Sequence, residues 1–530
     1  MYGSDWPVCL LAATYDDVYT IANESLPQNL SQEEREQIFG KAAIKFYKFI
    51  RGVMRMKMEI ARGPFEPTWE SLRQFDCPEW FRDAKLGIWS HWGPQSVPMY
   101  GDWYARNMYM EGSDQYRYHL RKYGHPSKFG YKDVVKLWRA EHFDPDALMD
   151  LYVAAGARYF TAQAAHHDNF HNWNSRHHHW NAFEMGPNKD IVGMWRDAAL
   201  KRGLRFGITE HIGASFSWSK PNKGADESGP YAGISYDGAN PDWVDLYLPN
   251  QNDTKDWYTD DPSWHEKWFL YMKDLIDQYQ PDLLYSDGGV PFGDVGLSAI
   301  AHLYNTSAQQ NSGVNQAVYN QKDRDEKVYQ VGVLDIERSQ LPDIRKDVWQ
   351  TDTCVGHWFY DVRAVYKTPK QVAEILVDIV SKNGNLLLNI PQRPDGTLDD
   401  ECLWVLEGMA KWIRVNGEGI YGTRPWMQAG EGPSQVVIDH FKENTVDWTI
   451  EDFRFTSKGN AVYAFQMKWP EGGRTVIRSM AGGKVGRVAS VELLGVKEAL
   501  QFEQTERGLV IALPAQKSSD YTQCLKVVFE

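Results

Sequence analysis

Side chains able to do chemistry crowd the points where hydrophobic runs stop. In DLLYSDGG (282–289) an apolar run ends in Asp287, followed by Gly288 and Gly289. A carboxylate at a strand tip, with glycines that let backbone and ligand approach, suits a group facing a substrate. The plainer reading is a turn aspartate in an Asp-Gly pair. In HHDNF (166–170), His166 and His167 follow another apolar run. A neutral imidazole both donates and accepts, which fits recognition of sugar hydroxyls. Metal binding wants further ligands at usable spacing, such as HExxH, and the sequence has none. No metal and no other cofactor is therefore expected. His177, His178 and His179 form a second group and read as a solvated loop. SHWGPQSVP (90–98) and GDWYARN (101–107) contribute His91, Asp102 and Trp103. DIERSQ (335–340) sets Glu337 beside Arg338, and TDTCVGHW (351–358) adds Asp352, His357 and Trp358.

Cleaving a glycosidic bond takes two carboxyl groups flanking that bond. The sequence offers Asp102, Asp168, Glu210, Asp287, Asp294, Asp335, Glu337 and Asp352. The residues alone lead to a barrel hydrolase acting on sugar and leave the pair open.

The elements that must position these groups are legible as alternation. LGIWSHW (86–92), ARYFTAQAA (157–165), LRFGITEH (204–211), DLLYSDG (282–288) and KVYQVGVLD (327–335) read as buried strands. PDALMDLYVAAG (145–156) and IVGMWRDAALKRG (191–203) read as helices between them. Strand–helix alternation over some 300 residues implies a parallel sheet with crossover helices, of a length that suits a (β/α)8-like barrel. Chemistry in that fold sits at the C-terminal strand ends, where His91, His166, His167, Glu210, His211 and Asp287 fall. Residues 1–75 read as a helical preface, with Ser31 and Glu34 in a capping-box pattern and a short helix in PFEPTWESLRQFDCPEWF. The barrel is expected over 76–427. A C-terminal antiparallel β-sandwich is expected over 428–530, from GNAVYAFQMKW, GRTVIRSM, VASVELLG, GLVIALP and CLKVVFE.

Composition narrows the partners. At 530 residues the chain is long enough for more than one core. A net charge of −14 argues against phosphate-backbone binding, so no nucleic acid is expected. No run of 18 apolar residues occurs, so no membrane span is expected. Aromatic residues make up 14%, with 22 Trp, a modest pointer to sugar faces. Five scattered cysteines without a CxxC pair argue against a disulfide scaffold or zinc site. The start, MYGSDWPVCLLAATYDD, lacks the basic n-region of a signal peptide. A secreted or periplasmic enzyme whose leader is absent from this chain is expected, with a cytoplasmic setting left open. A homo-oligomer is also left open.

Together these segments resemble glycoside hydrolase family 29, the α-L-fucosidases. The resemblance spans roughly residues 64–427. It rests on PTWESLRQFDCPEWFRDAKLGIWSHWGPQSVP, GDWYARNMY, EHFDPDALMDLYVAAGARYF, HHDNFHNWNS, GPNKDIVG, GLRFGI, YSDGG, LVDIVSKNGNLLLNIPQRPDGT and NGEGIYGTRPW, in that order. It implies a barrel with a C-terminal β-sandwich and a retaining, two-step, exo-acting mechanism on a terminal α-L-fucoside of a glycan. It also implies that Asp287 is the nucleophile and that His91, Trp103, His166 and His167 bind the sugar. Asp102 stands where many members carry Glu before Trp, and Tyr285 where Trp is common. In FGITEH (206–211) many members carry Tyr where this chain has Thr, Glu and His. Glu337, 50 residues beyond Asp287 and at the end of the next expected strand, is the expected acid/base, with Glu210 in reserve. Arg338 is expected to point away from Glu337 or to pair with an acid such as Asp335. Glu210, Tyr285 and Trp358 complete the expected substrate-binding set. The rival readings are an α-L-galactosidase using the same pocket, a catalytically inactive carbohydrate-binding barrel, and, more distantly, a metallohydrolase built on the histidines.

Overall fold

The computed structural model describes residues 26, 27, 30, 31, 34, 58–249, 257–325, 328, 330–436, 443 and 446–530. The chain divides into two compact units, residues 1–59 and 60–530. In the first, the expected capping box forms: the Glu34 carboxylate accepts from Ser31 N (2.8 Å), and Glu34 N donates to Ser31 Oγ (3.3 Å). The rest of the expected preface before residue 58 lies outside the described residues. The expected short helix is Trp69–Leu72, capped by Thr68.

In the second unit eight parallel strands close a barrel: β1 (Leu86–Ser90), β2 (Tyr159–Ala165), β3 (Arg205–Glu210), β4 (Leu283–Ser286), β5 (Val318–Gln321), β6 (Val333–Asp335), β7 (Trp349–Cys354) and β8 (Gly384–Asn389). β1 pairs with both β2 and β8, which closes the cylinder. The expected helices form as α1 (Pro145–Ala154) and α2 (Ile191–Lys201), each begun by an aspartate N-cap, Asp144 and Asp190. Further crossovers are α3 (Pro262–Tyr279), α4 (Asp294–Gln310) and α5 (Pro369–Ser381), and α6 (Asp400–Asn416) follows β8.

Side-chain alternation decides what reaches the mouth. Trp89, Tyr159, Leu283, Tyr285, Val318, Val333 and Leu387 share one buried cluster inside the barrel. Successive side chains in a strand point to opposite faces. Positions two beyond an inward residue therefore continue on the inner side: His91 after Trp89, Asp287 after Tyr285, and Glu337 after Asp335. Tyr285 registers with Asn320 of β5, which sets Lys322 two further along. Asp335 registers with Gln350 of β7, which does the same for Asp352.

The sequence reading differs from the structure at several strands. KVYQVGVLD (327–335) forms a strand only over Val333–Asp335. β5, a four-residue strand ending in polar Asn-Gln, precedes it unrecognised. Glu337 thus follows the second strand after Asp287, not the next. β7 and β8 also went unread, because Gln350, Thr351, Asp352 and Asn385 interrupt their apolar pattern.

Among the described residues that follow, eight antiparallel strands form two sheets. Five lie in the order β13 (Val488–Leu493), β16 (Gln523–Phe529), β11 (Ala461–Gln466), β10 (Phe453–Lys458), β9 (Arg424–Glu431). Three lie in the order β12 (Arg474–Ile477), β15 (Gly508–Ala512), β14 (Phe502–Thr505). Phe453, Phe455, Leu525 and Val527 of one sheet pack with Ile477, Leu509 and Ile511 of the other. The expected sandwich is therefore present, and β9 begins it ahead of residue 428. Asp378 on α5 ties it to the barrel: the buried carboxylate accepts from Arg454 Nε of β10 (2.5 Å) and from Lys382 Nζ (2.6 Å).

Removing a buried anion from two buried cations leaves both uncompensated. Asp378→Ala is expected to cost about 3–5 kcal/mol in urea unfolding. A loss under about 1 kcal/mol would show that both cations reach water instead.

Candidate active site

The barrel mouth holds a cavity of about 280 Å³ lined by Trp89, His91, Asp102, Trp103, His166, His167, His211, Trp257, Asp287, Gly288, Lys322, Glu337, Asp352 and Trp358. Of the expected site residues, His91, Asp102, Trp103, His166, His167, Asp287, Glu337 and Trp358 are brought together here. Glu210 and Tyr285 are not.

Parity explains both exceptions. Glu210 registers with Ser286 and Thr209 with Tyr285. Thr209 Oγ1 accepts from Trp89 Nε1 inside the barrel (3.2 Å), so Glu210 faces outward and His211 takes the inner side. The Glu210 carboxylate accepts from Ile212 N (2.9 Å), Gly213 N (3.4 Å) and Trp268 Nε1 (3.1 Å). It anchors the turn carrying His211 and does not line the cavity, unlike the other expected carboxylates Asp102, Asp287 and Glu337. Tyr285 is fully buried beneath the cavity and donates to Asp352 Oδ2 (3.1 Å), supporting the site from below.

Sequence reasoning missed Lys322. Its ammonium donates to Asp287 Oδ1 (2.6 Å) and to Glu337 Oε2, and lies 3.8 Å from Asp352 Oδ2. The signal was a lysine two residues past an inward asparagine, invisible while β5 was unread. Burial raises the Asp287 carboxyl pKa, but Lys322 and the facing His211 and His167 outweigh it and hold it well below the usual carboxylate range. Glu337 goes the other way: burial, helped by Asp352 and Asp287, pushes it up to about 7 against the pull of Lys322. Asp335, buried against Asp352, is also raised well above its ordinary value. Arg338 turns away from Glu337, with positive φ (43°), and its guanidinium lies 3.7 Å from Glu443, not on Asp335.

The two adjacent histidines present different nitrogens. A bulge between Gln163 and Ala165 shifts the β2 register and aims His166 and His167 at the cavity. Gln95 Oε1 accepts from Ala105 N, so its amide nitrogen faces His166 Nδ1 (2.8 Å) and leaves an N–H on His166 Nε2. His167 Nδ1 donates to the His211 carbonyl (2.6 Å), and its Nε2 lies 3.3 Å from Asp287 Oδ2. Burial holds His91, His166 and His211 well below the ordinary histidine value, hence neutral. Burial also raises Asp102 to about 7. Both nitrogens of His91 and of His211, and Oδ1 of Asp102, are buried without a hydrogen-bond partner. Buried polar atoms are ordinarily paired, so these await a polyhydroxylated ligand or water.

Aromatic rings form the remaining wall. Trp103, strained at φ +59°, stacks on Trp257 (6.0 Å, 16°). Asn389, unremarked in the sequence, accepts from His91 N (2.9 Å) and donates to the Trp358 carbonyl (2.9 Å), fixing both. Gly288 has φ +135°, and a Cβ there would clash with Tyr258 Oη, so this glycine is demanded by the protein itself. The histidine trio of 177–179 is only partly the expected solvated loop: His179 is exposed, but buried His178 Nε2 bonds to the Asn169 carbonyl (2.8 Å).

Comparison with known proteins agrees with this geometry. The family model Alpha-L-fucosidase matches residues 52–418, and Alpha-L-fucosidase C-terminal domain matches 446–528. The chain belongs to the α-L-fucosidase family. Rat (Rattus norvegicus) tissue α-L-fucosidase is 30% identical over 468 residues, covering 86% of this chain and 90% of that one. Human (Homo sapiens) plasma α-L-fucosidase is 30% identical over 479 residues, covering 85% and 88%. The Thermotoga maritima α-fucosidase structure in complex with a mechanism-based inhibitor superposes with TM-score 0.69 at 25% identity, covering 88% of this chain and all of that one. A third family model, Amidohydrolase, matches residues 1–49, outside the fucosidase match. The chain is thus a glycoside hydrolase, an α-L-fucosidase, whose substrate class is a fucosylated glycan. Among the described residues no helix is long and apolar enough to cross a membrane.

Because Glu210 anchors a turn, Glu210→Ala is expected to destabilise this fucosidase by about 2–4 kcal/mol, orphaning buried donors. Its residual activity should fall by the same factor on activated aryl fucosides and on natural fucosides. A selective loss on natural fucosides would return the acid role to Glu210.

Proposed function

We propose that this α-L-fucosidase is retaining and exo-acting, with Asp287 as nucleophile and Glu337 as acid/base. The Lys322 bridge carries the reading. One ammonium bonded to both carboxylates keeps the bonded oxygens within about 5 Å of each other, the spacing of retaining rather than inverting enzymes. The opposed pKa shifts supply an ionised attacker and a protonated acid in one site.

In the first step an Asp287 oxygen bonds to the anomeric carbon while the bond to the leaving oxygen breaks. Glu337 gives its proton to that oxygen. In the second, water bonds to the anomeric carbon, Glu337 takes its proton, and the bond to Asp287 breaks. Two inversions return the original configuration. Positive charge develops on the sugar in each transition state, and the neutral imidazoles of His91, His166 and His211 do not oppose it. His91, His166, Asp102 and Trp103 contact the sugar, with His166 donating from Nε2. A cavity of about 280 Å³ with tryptophan walls suits a single terminal ring, and those walls offer the apolar surface its methyl group needs.

Asp287→Gly is expected to lose several orders of magnitude in kcat. Azide should restore turnover and yield the glycosyl azide of inverted configuration. Near-wild-type turnover in this variant would end the assignment. An NMR time course showing the β-anomer of fucose as first product would end the retaining mechanism.

Glu337 acts as an acid only while protonated, and its pKa lies at about 7. In wild type kcat/KM should therefore fall as pH rises through about 7. Glu337→Ala should flatten that basic limb and lose far more rate on natural fucosides than on activated aryl fucosides. Equal losses on both substrates, with the limb retained, would remove Glu337 from the role.

A further inference from the structure

No metal ligand set is visible in the sequence spacing, yet folding assembles one. Ligand atoms of His166, His167 and His211 all lie within 4.8 Å of one another, as do those of His91, Asp102 and His166. Hydrogen bonding decides which of them offers a lone pair. His166 carries its proton on Nε2, because Nδ1 accepts from Gln95. That nitrogen cannot ligate as it stands. His167 is the reverse: Nδ1–H is committed to a backbone carbonyl, so Nε2 is the nitrogen that faces the cavity, where an ion would displace any proton it shares with Asp287. A ring whose far nitrogen is fixed in this way by a carbonyl acceptor is the usual setting of a metal-binding histidine. His211 is 5% exposed and neither of its nitrogens has a partner.

Two distances to Asp287 support the site. Asp287 Oδ2 lies 3.3 Å from His167 Nε2 and 3.5 Å from His211 Nδ1. Zinc bonds of 2.0–2.2 Å in a tetrahedron place neighbouring ligand atoms about 3.3–3.5 Å apart. Lys322 occupies the other oxygen of Asp287, so Oδ2 stays open, and the carboxyl groups of Glu337 and Asp352 face Lys322 from beyond. We propose that, in the absence of sugar, His167 Nε2, His211 Nδ1 and Asp287 Oδ2 form a three-ligand site for a divalent transition-metal ion of zinc type, with water in the fourth position. The ion is not a cofactor. It occupies the space of the sugar, and on the reading that Asp287 is the nucleophile it blocks the enzyme reversibly.

The test uses the full-length enzyme, freed of metal by chelator dialysis and titrated with zinc chloride by calorimetry. Cobalt(II) chloride serves as the spectroscopic probe. We expect one zinc bound per chain with micromolar affinity and an intense tetrahedral cobalt absorption band. Both should be abolished by saturating L-fucose and weakened at least tenfold in His211→Phe. The exposed His179 is a ready source of adventitious binding, and His179→Ala should leave the signal unchanged. His211→Gln, which keeps a polar side chain of similar reach, serves if His211→Phe does not fold and should weaken binding equally. Retained affinity in a folded His211 variant, or loss of the signal in His179→Ala, overturns the site. Zinc that binds, is lost in the His211 variants, but neither competes with fucose nor slows turnover would sustain the metal site and remove the catalytic reading of Asp287.

Discussion

One buried ammonium organises the catalytic mouth. Lys322, at the end of β5, faces carboxyl groups delivered by β4, β6 and β7. A cation withdrawn from water is tolerated only when anions and hydrogen bonds replace its hydration. Three carboxyl groups around one ammonium exceed what it can neutralise, so the low-dielectric surroundings push part of the set toward its protonated form. Asp287 keeps its charge chiefly because the Lys322 ammonium is bonded to its Oδ1. Glu337 has Lys322 alone against burial and two neighbouring carboxyl groups, and its pKa rises. The division into anion and acid is thus a property of the cluster. Neither residue carries it alone.

The barrel supports this cluster with a mainly apolar filling, in which several of the polar groups are hydrogen-bonded to one another. Trp89, Tyr159, Leu283, Tyr285 and Val318 exclude water from beneath the mouth. Three of the polar groups that enter that interior are chained: Tyr159 Oη donates to Gln350 (2.7 Å), and Gln350 donates to Asp335 (2.6 Å). Tyr285 holds Asp352 from below. In a dry environment each of these contacts is electrostatically stronger than in water, and an unpaired member would be correspondingly costly. The rigidity of the floor is what allows the ammonium to hold two carboxylates at fixed separation.

Most of the fold was legible because its strands are long, apolar and closed by polar residues. β1 to β4 and five strands of the sandwich read directly, as did α1 and α2. The barrel strands that escaped carry polar residues on the inner face. β5 ends in Asn320 and Gln321, and β7 carries Gln350 and Asp352, so hydrophobic patterning fails where the barrel builds its catalytic floor. That failure hid Lys322. It also misplaced Glu337 by one strand, although the residue itself lines the cavity. Glu210 shows the complementary limit. A buried carboxylate at a strand end reads as functional from sequence, yet the register that turns it outward and His211 inward appears only once β3 and β4 are paired.

His211 also shows how finely the recognition surface is set. His91, His166, His167 and His211 ring one cavity, and burial holds His91, His166 and His211 neutral, so each of these three presents one donor and one acceptor. Their roles are not interchangeable, because groups outside the cavity assign the protons. Gln95, itself oriented by the Ala105 amide, makes His166 a donor toward the cavity. The carbonyl of His211 makes the inner nitrogen of His167 a donor to the backbone, and turns its other nitrogen toward Asp287. A hydroxyl bridging the two histidines accepts from His166 and donates toward His167. An alkyl ether or a methyl at that position cannot do both. On the proposed reading, selectivity for a free hydroxyl rests on the amide of Gln95 and the carbonyl of His211, not on the imidazoles alone.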